Sequence, residues 1–348
     1  MKKEARHATL YRAYRPATFD EVRGQSQVTD VLEKSIKNKK IAHAYLFAGG
    51  RGTGKTSVAR ILARALGVSE KDLYEIDAAS NRGIDDIRLL REGVYAAPFD
   101  SPYKFYIIDE AHMLTKEAWN AFLKTLEEPP AHCVFVLATT DRDKVPETIQ
   151  SRCEIYSFKQ PTREILAQIV TDIAKAEGYS LERSAAELMA LLAEGSFRDA
   201  LSILQKVLAV SDNKKIEVAE VEAVSGAPRG ELVRQLLSSL AKKDAAAALK
   251  TIGHAVAANM DARTLAKLLI HRMRTVLLLR YAPDLAETLR EQHTAEDIAL
   301  AASLSKEAGV NSDTLRTLLD AYGTMAYSAV PHLPLELAVI DICAPNQK

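Results

Sequence analysis

The chain has 348 residues, and its 46 Lys and Arg balance 46 Asp and Glu, so its formal net charge at pH 7 is zero. This length fits two or three domains of ordinary size, which excludes a peptide or a small disulfide-stapled protein. With 47% hydrophobic and 26% charged residues, the composition is that of a globular protein and not of a disordered chain. No run approaches the ~18 uncharged apolar residues of a membrane helix, and no apolar segment follows the basic start. We therefore expect a cytoplasmic protein without a membrane partner.

Charge and cysteine content add two expectations. Residues 1–64 hold 14 Lys or Arg against 5 Asp or Glu, which favours contact with phosphate groups about as much as it favours a solvated basic surface. The three cysteines, Cys133, Cys153 and Cys343, are far apart and form no Cys-x-x-Cys pair. They predict neither a disulfide framework nor a zinc site, and we expect each to be a small buried hydrophobic residue.

From about residue 41 to 160, short apolar runs alternate with amphipathic stretches. This alternation predicts βα units that form a parallel sheet with helices on both faces. The predicted strands are Ala44–Ala48, Leu73–Asp77, Phe105–Asp109, Val134–Thr139 and Ile155–Phe158. Apolar residues at helical spacing predict helices over 58–65 and 119–126, and Pro129 ends the second.

After Pro161 the pattern predicts helices only. Three helices are expected to contain Ile165, Leu188 and Leu201, and Ser196 is the expected N-cap of the third. The segment 226–230, which contains two glycines and a proline, predicts a linker before Ala- and Leu-rich helical sequence. We therefore expect an α/β core over residues 1–160, a three-helix unit over 161–225 and a helical domain over 226–348.

One motif directly follows a predicted strand and directly precedes a predicted helix. It matches G-x-x-x-x-G-K-[ST], and Ser57 follows it, in the sequence Gly49-Gly50-Arg51-Gly52-Thr53-Gly54-Lys55-Thr56-Ser57. In such a P-loop, consecutive backbone N–H groups surround phosphates at the N-terminus of a helix. Lys55 would neutralise charge on the β- and γ-phosphates, and the Thr56 hydroxyl could ligate Mg²⁺. The sequence therefore predicts a nucleoside triphosphate site with Mg²⁺.

A second motif lies at the end of the strand that begins at Phe105. Asp109 is expected to hold Mg²⁺ through water, and Glu110 to polarise the water that attacks the γ-phosphate. The tetrapeptide from Asp109 to His112 is also the DEAH sequence of some helicases. Those enzymes have two RecA-like domains, whereas helical sequence follows a single α/β domain here, so we disfavour a helicase. Thr140, after the next strand, could hydrogen-bond the γ-phosphate or the attacking water, although threonine is also common at an ordinary strand end.

These motifs and several further stretches over about residues 9–205 resemble the AAA+ clamp-loader ATPases of bacterial DNA polymerase III. A weaker likeness continues toward the end of the chain. The stretches that carry the resemblance, besides the two motifs, include Tyr14-Arg15-Pro16, Val22-Arg23-Gly24-Gln25, Glu75-Ile76-Asp77-Ala78-Ala79-Ser80-Asn81, Leu123-Lys124-Thr125-Leu126-Glu127-Glu128-Pro129-Pro130, Ser151-Arg152-Cys153 and Gly195-Ser196-Phe197-Arg198-Asp199.

The resemblance implies an ATPase that uses ATP and Mg²⁺, opens a sliding clamp and places it on primed DNA. Its implied partners are delta- and delta-prime-type loader subunits and further copies of itself in a ring, with a helical lid and a helical oligomerisation domain after the ATPase core. The implied roles are sensor 1 for Thr140, sensor 2 for Arg198, an arginine finger acting in trans for Arg152, and an adenine pocket for Arg15, Pro16 and Val22. Without the resemblance, both Arg152 and Arg198 would be interpreted as surface or salt-bridge arginines.

One departure from the family is clear. Its members usually carry a four-cysteine zinc module before the second strand, whereas only residues 67–72 lie between the P-loop helix and that strand here. We therefore expect no zinc. Two alternative functions stay open, another AAA+ nucleic-acid remodeller, such as a branch-migration or recombination ATPase, and a structural subunit without hydrolysis. The intact Lys55, Thr56, Asp109 and Glu110 argue against the structural subunit.

Overall fold

The computed structural model of the chain describes residues 9–344 except 286, 288 and 290–294. Two compact units are formed, one by Met1–Leu166 with Ala193–Ser202 and the other by Ala167–Leu192 with Ile203–Lys348. The outer ends of the predicted first and third domains, residues 1–8 and 345–348, lie outside the described residues. The division into three domains stays a prediction.

The first unit contains a five-stranded sheet in which every paired strand is parallel, with the order β2-β3-β4-β1-β5. Its strands are β1 (Ala44–Gly49), β2 (Leu73–Asp77), β3 (Lys104–Asp109), β4 (Cys133–Thr139) and β5 (Glu154–Phe158). All five predicted strands are therefore confirmed to within one residue at each end. Because the strands are parallel, the chain segments that follow β1, β3 and β4 meet at one edge of the sheet.

Helices cover both faces of this sheet. They are α1 (Leu10–Ala13), α2 (Ser26–Lys37), α3 (Lys55–Ala65), α4 (Ile84–Val94), α5 (Lys116–Glu127) and α6 (Glu147–Gln150). The start of α5 is fixed by Thr115, whose hydroxyl accepts a hydrogen bond from Ala118 N, and the helix ends before Pro129 as predicted.

Alternate residues of the central strands enter two different cores. Phe47 of β1 packs with Leu62 of α3 on one face, whereas its neighbour Leu46 packs with Phe122 of α5 on the other. Successive strand side chains point to opposite faces, so a strand covered by helices on both sides is apolar throughout. Because both faces are buried, each of these strands forms a continuous apolar run that can be recognised in the sequence.

The short connection between α3 and β2 is closed by a buried carboxylate. Asp72 is fully buried and accepts hydrogen bonds from the backbone N–H groups of Phe99 at 2.7 Å, Asp100 at 3.0 Å and Ser101 at 3.0 Å. Burial alone would raise the pKa of Asp72, but these bonds and the Ser101 hydroxyl outweigh it and lower the pKa to about 2. Asp72 therefore joins the loop that precedes β2 to the loop that precedes β3.

We expect Asp72→Asn to lower the free energy of unfolding at pH 7 by about 1–3 kcal/mol, because the amide nitrogen cannot accept the buried backbone donors. The pKa of Asp72 is lower in the folded than in the unfolded chain, so its contribution is present above about pH 4 and is lost as the pH falls toward 2. Urea unfolding should show the difference between variant and wild type narrowing between pH 7 and pH 3. The exposed Asp100→Asn is the control, and a difference independent of pH would contradict this role.

The remaining helices follow in chain order. They are α7 (Arg163–Ala176), α8 (Arg183–Leu192), α9 (Phe197–Val210), α10 (Val218–Ser225), α11 (Gly230–Ala241), α12 (Ala245–Ala257), α13 (Ala262–Tyr281), α14 (Ala295–Leu304), α15 (Ser312–Met325) and α16 (Leu333–Cys343). In the second unit, one continuous apolar core joins α11, α12, α13 and α16 through buried residues such as Leu236, Ile252, Leu269 and Val339. The predicted all-helical character of this part of the chain is confirmed in its main features.

Two details after Pro161 differ from the sequence prediction. The segment predicted to hold three helices contains a fourth, α10, which packs against α8 and ends at Gly226. Residues Ser180–Leu181 and Lys215–Ile216 also form a short parallel pair of strands, β6 and β7. Two residues are too few to show an alternating pattern, and an eight-residue helix shows little periodicity, so neither was detectable.

The structure also shows the burial of the three cysteines and the length and polarity of the helices. Cys133 is buried, Cys153 and Cys343 are partly buried, and the three are free thiols. Burial raises the pKa of Cys133 to about 11 and that of Cys153 to about 12. Within the described part of the chain, no group of three or more His, Cys, Asp or Glu could hold a metal ion by itself, and no helix could span a membrane.

Candidate active site

The P-loop connects β1 to α3 and requires glycine where the chain turns and where it is crowded. Gly54 adopts φ 103° and forms the N-cap of α3, a left-handed conformation that side chains disfavour. Gly52 has φ 70°, and a Cβ atom there would lie 2.1 Å from the Ser196 hydroxyl oxygen. The first N–H groups of α3 have no acceptor within the helix, which is the arrangement that anion binding by the predicted P-loop requires.

Lys55 points back into the loop that precedes it. Its Nζ donates hydrogen bonds to the carbonyl oxygens of Gly49 at 2.7 Å and Gly50 at 2.8 Å, and only 6% of the residue is exposed. Burial lowers the pKa of Lys55, while the charges of Glu110 and Asp109 act in the opposite direction. A triphosphate bound in the loop would supply the negative charge that favours this buried ammonium group.

Thr56 and Asp109 meet across the ends of neighbouring elements. The Thr56 hydroxyl donates to Asp109 Oδ2 at 2.8 Å, and Glu110 N donates to Asp109 Oδ1 at 2.9 Å. Hydroxyl and carboxylate oxygens are the ligands that Mg²⁺ prefers, and Mg²⁺ keeps several of its waters in nucleotide sites. The two side chains therefore fit the predicted Mg²⁺ site.

Glu110 lies at the end of β3 in the left-handed region, with φ 48°. Its Oε2 accepts a hydrogen bond from the Thr140 hydroxyl at 3.0 Å. A non-glycine residue at positive φ is uncommon, and such conformations often occur at functional sites. The structure thus brings together the predicted water-polarising carboxylate and the predicted sensor threonine.

Gln25 is a buried site residue that the sequence pattern did not reveal. Its Nε2 donates to Thr53 O at 3.3 Å and to Lys159 O at 2.7 Å, and its Oε1 accepts from Lys159 N at 3.2 Å. Gln25 therefore ties the P-loop to the chain that follows β5. It was part of a stretch that carried the family resemblance, but no spacing rule indicated its role. Thr139 and His112 lie beside Glu110, and no spacing rule in the sequence indicated the contact between them.

Arg198 is the second residue of α9, whose start is fixed to the P-loop. Ser196 caps this helix by accepting a hydrogen bond from Asp199 N at 3.2 Å, as predicted, and Phe197 N donates to Gly52 O at 3.0 Å. The Arg198 guanidinium lies over the Tyr11 ring, 5.6 Å from its centroid, and its charge also lowers the pKa of Lys55. An exposed cation thus lies near the predicted phosphate site.

The residues of the predicted adenine pocket lie between α1 and α2. Arg15 is partly buried, and burial followed by the charge of Arg60 lowers its pKa. Val22 packs against the buried Phe19 and the core on the α2 and α3 side of the sheet. The role of Arg15, Pro16 and Val22 in binding adenine stays a prediction.

Arg152 follows α6 and is paired within its own chain. Its Nη2 donates to Glu127 Oε1 at 2.7 Å and its Nη1 to Thr148 O at 2.6 Å, while a third of the side chain stays exposed. This is the salt-bridge interpretation that the sequence left open beside the arginine finger. Pairing in a single chain and a role in trans are compatible, because an exposed ion pair is weak.

Comparisons with known proteins match most of the chain. The sequence model of "DNA polymerase III, delta subunit" matches residues 24–81 and 68–162, and that of "DNA polymerase III clamp loader subunit, ATPase lid domain" matches residues 165–213. The DNA polymerase III subunit tau of Bacillus subtilis is 37% identical over 98% of this chain and 64% of that protein. The chain is thus similar to the DNA polymerase III gamma/tau subunits over nearly its whole length. The gamma/tau subunit of Mycobacterium tuberculosis is 35% identical over 97% of this chain and 63% of that protein.

The chain spans less than two thirds of the length of these gamma/tau relatives. The DNA polymerase III subunit tau of Escherichia coli is 35% identical over 80% of this chain and 46% of that protein. Among solved structures, the Thermotoga maritima RuvB Holliday junction branch migration motor matches with a TM-score of 0.53 and 23% identity, over 65% of this chain and 79% of RuvB. At this identity the likeness is one of fold. It confirms the predicted fold of a parallel sheet with flanking helices.

Proposed function

We propose that the chain is an ATP-hydrolysing motor subunit of a bacterial replicative clamp loader, which opens the sliding clamp and loads it on primed DNA. One observation carries the proposal. Lys55, Thr56, Asp109 and Glu110 converge at one sheet edge, in a chain that is 37% identical to a tau subunit over nearly its whole length. A structural subunit without hydrolysis would have no need for this complete set.

The residues divide the work of phosphoryl transfer. The P-loop N–H groups and Lys55 bind the phosphates, and Thr56 and Asp109 would hold Mg²⁺, which would supply positive charge to the phosphates. Glu110 orients the attacking water and accepts a proton from it. Thr140 fixes Oε2 of Glu110 at 3.0 Å, so Oε1 is the oxygen left to face water.

Two arginines complete the proposed cycle. Arg198, at the start of the lid helix α9, contacts the γ-phosphate and couples nucleotide binding to lid position. Arg152 reaches the ATP of a neighbouring copy in the ring, where delta- and delta-prime-type subunits are the other partners. ATP binding closes the interfaces between subunits, and hydrolysis releases the loaded clamp.

The test of this function is the ATPase rate of the assembled loader with clamp and primed DNA, added separately and together. We expect full stimulation only when both are present, because hydrolysis ends a cycle that requires both ligands. Strong stimulation by a branched DNA junction alone, without the clamp, would instead indicate a branch-migration or recombination ATPase.

Lys55→Ala is expected to abolish ATP binding or turnover, because Lys55 is the buried cation of the loop, whereas Arg51 is exposed to solvent. Equilibrium binding of a fluorescent ATP analogue and steady-state hydrolysis measure the two effects. Lys37→Ala removes an exposed lysine and should change neither. A folded Lys55→Ala protein with normal ATPase activity would overturn the site assignment.

A further inference from the structure

We propose that His112 is a positioning residue for Glu110 and that its Nδ1–H fixes the carboxylate in the orientation needed to polarise water. This inference rests on the proposed ATPase function. His112 is the last residue of the DEAH tetrapeptide. Asp109 and Glu110 of this tetrapeptide have roles in the proposed hydrolysis, whereas His112 has none.

His112 is held close to both carboxylate and strand. It lies in a single 3-10 turn, Ala111–Met113, and only 11% of its side chain is exposed. Its Nδ1 lies 3.1 Å from the Thr139 hydroxyl oxygen and 3.5 Å from Glu110 Oε2. The ring therefore lies between the end of β4 and the carboxylate at the end of β3.

The contacts of Thr139 bear on which imidazole nitrogen of His112 carries the hydrogen. The Thr139 hydroxyl lies 2.9 Å from Asp141 O, to which we assign its single hydrogen, and its oxygen accepts a hydrogen bond from Asp141 N at 3.0 Å. Toward His112 the hydroxyl oxygen can then act only as an acceptor. This assignment places the hydrogen of the imidazole on Nδ1, which lies 3.5 Å from Glu110 Oε2.

Two groups therefore approach the same oxygen of the Glu110 carboxylate. Glu110 Oε2 receives the Thr140 hydroxyl at 3.0 Å and faces the Nδ1–H of His112 at 3.5 Å. Two adjacent residues at the end of β4 are therefore linked to Glu110. Thr140 donates a hydrogen bond to it directly, and Thr139 contacts the imidazole of His112, which lies beside it. Rotation of the carboxylate would break both contacts to Oε2, so Oε1 stays directed away from Thr140 and His112. Catalytic groups lose large factors in rate when such orientation is lost.

The test compares three substitutions of His112 in the full chain. The amide nitrogen of asparagine can replace Nδ1–H, whereas that of glutamine lies farther out and alanine has no donor. We expect His112→Ala and His112→Gln to lower kcat about ten- to a hundredfold, with KM and the Kd for ATP changed less than about twofold. His112→Asn should retain most of the wild-type kcat.

His254→Asn, an exposed position on α12, serves as the control for histidine removal and should not change kcat. If the alanine variant fails to fold, the comparison of Asn with Gln decides alone. Equal losses in all variants, with raised KM and a lowered unfolding midpoint, would show a structural role and overturn the inference. If kcat is unchanged in all His112 variants while Glu110→Gln is impaired, the inference about His112 is wrong. If Glu110→Gln also has a normal kcat, the proposed function of the site is wrong.

Discussion

Arg152→Ala is expected to remove most of the ATP hydrolysis of the assembled ring that clamp and DNA stimulate, while nucleotide binding by the single chain stays nearly unchanged. An arginine finger contributes on the order of 10³–10⁵ in rate, because it counters charge that develops on the transferred phosphoryl group. In the single chain the guanidinium is paired with Glu127 at 2.7 Å and is one-third exposed. Such a pair contributes about 0–1 kcal/mol, so its partner can be exchanged for a phosphate at little cost.

The intrachain pair supplies a matched control. If Arg152 acts only as a salt bridge, Glu127→Gln should reproduce the effect of Arg152→Ala, and both should lower the thermal stability of the isolated chain equally. If Arg152 acts in trans, Glu127→Gln leaves hydrolysis largely intact.

Mixed rings provide the decisive measurement for Arg152. An Arg152→Ala chain beside a Lys55→Ala chain forms one interface with both elements intact and another with neither. We expect the mixture to hydrolyse more ATP than either homogeneous variant. No gain, with co-assembly confirmed, would return Arg152 to a structural role.

Glu110→Gln is expected to bind ATP with nearly normal affinity and to hydrolyse it about 10²–10⁴ times more slowly, the range of a lost general base. The amide oxygen can still accept the hydrogen bond that Thr140 donates to Oε2. The amide nitrogen then occupies the other position, where it donates a hydrogen bond and cannot accept a proton from water.

Single-turnover hydrolysis and equilibrium binding, measured on the same preparation, separate the two effects of this substitution. Glu117→Gln, an exposed position on α5, should match the wild type in both. If Glu110→Gln lost nucleotide affinity as completely as Lys55→Ala, the role given to Glu110 would be wrong.

Physical reasons explain which features the sequence could predict. Strands buried on both faces are apolar throughout. The strands β1, β3 and β4 end, respectively, in a P-loop motif, a carboxylate and a hydroxyl. Parallel pairing then places Thr56, Asp109, Glu110 and Thr140 at one edge, so the main site was predictable from motif and order alone.

The support around that site was not predictable. Gln25 bonds to Lys159 across 134 positions of sequence, and the link from Thr139 through His112 to Glu110 depends on loop conformations at two strand ends. No periodicity reports such long-range polar contacts. For Arg152, the family resemblance implies a role in trans, whereas the structure shows an ion pair with Glu127 within one chain.

Loading of the sliding clamp onto a primed circular DNA tests the central claim most directly. The purified chain would be combined with clamp and with delta- and delta-prime-type subunits from the same organism, and clamp retained on the circle would be counted after removal of free protein. We predict ATP-dependent loading with the wild-type chain and none with Lys55→Ala. Loading that is equal with and without this chain, or with Lys55→Ala in its place, would contradict its assignment as the motor.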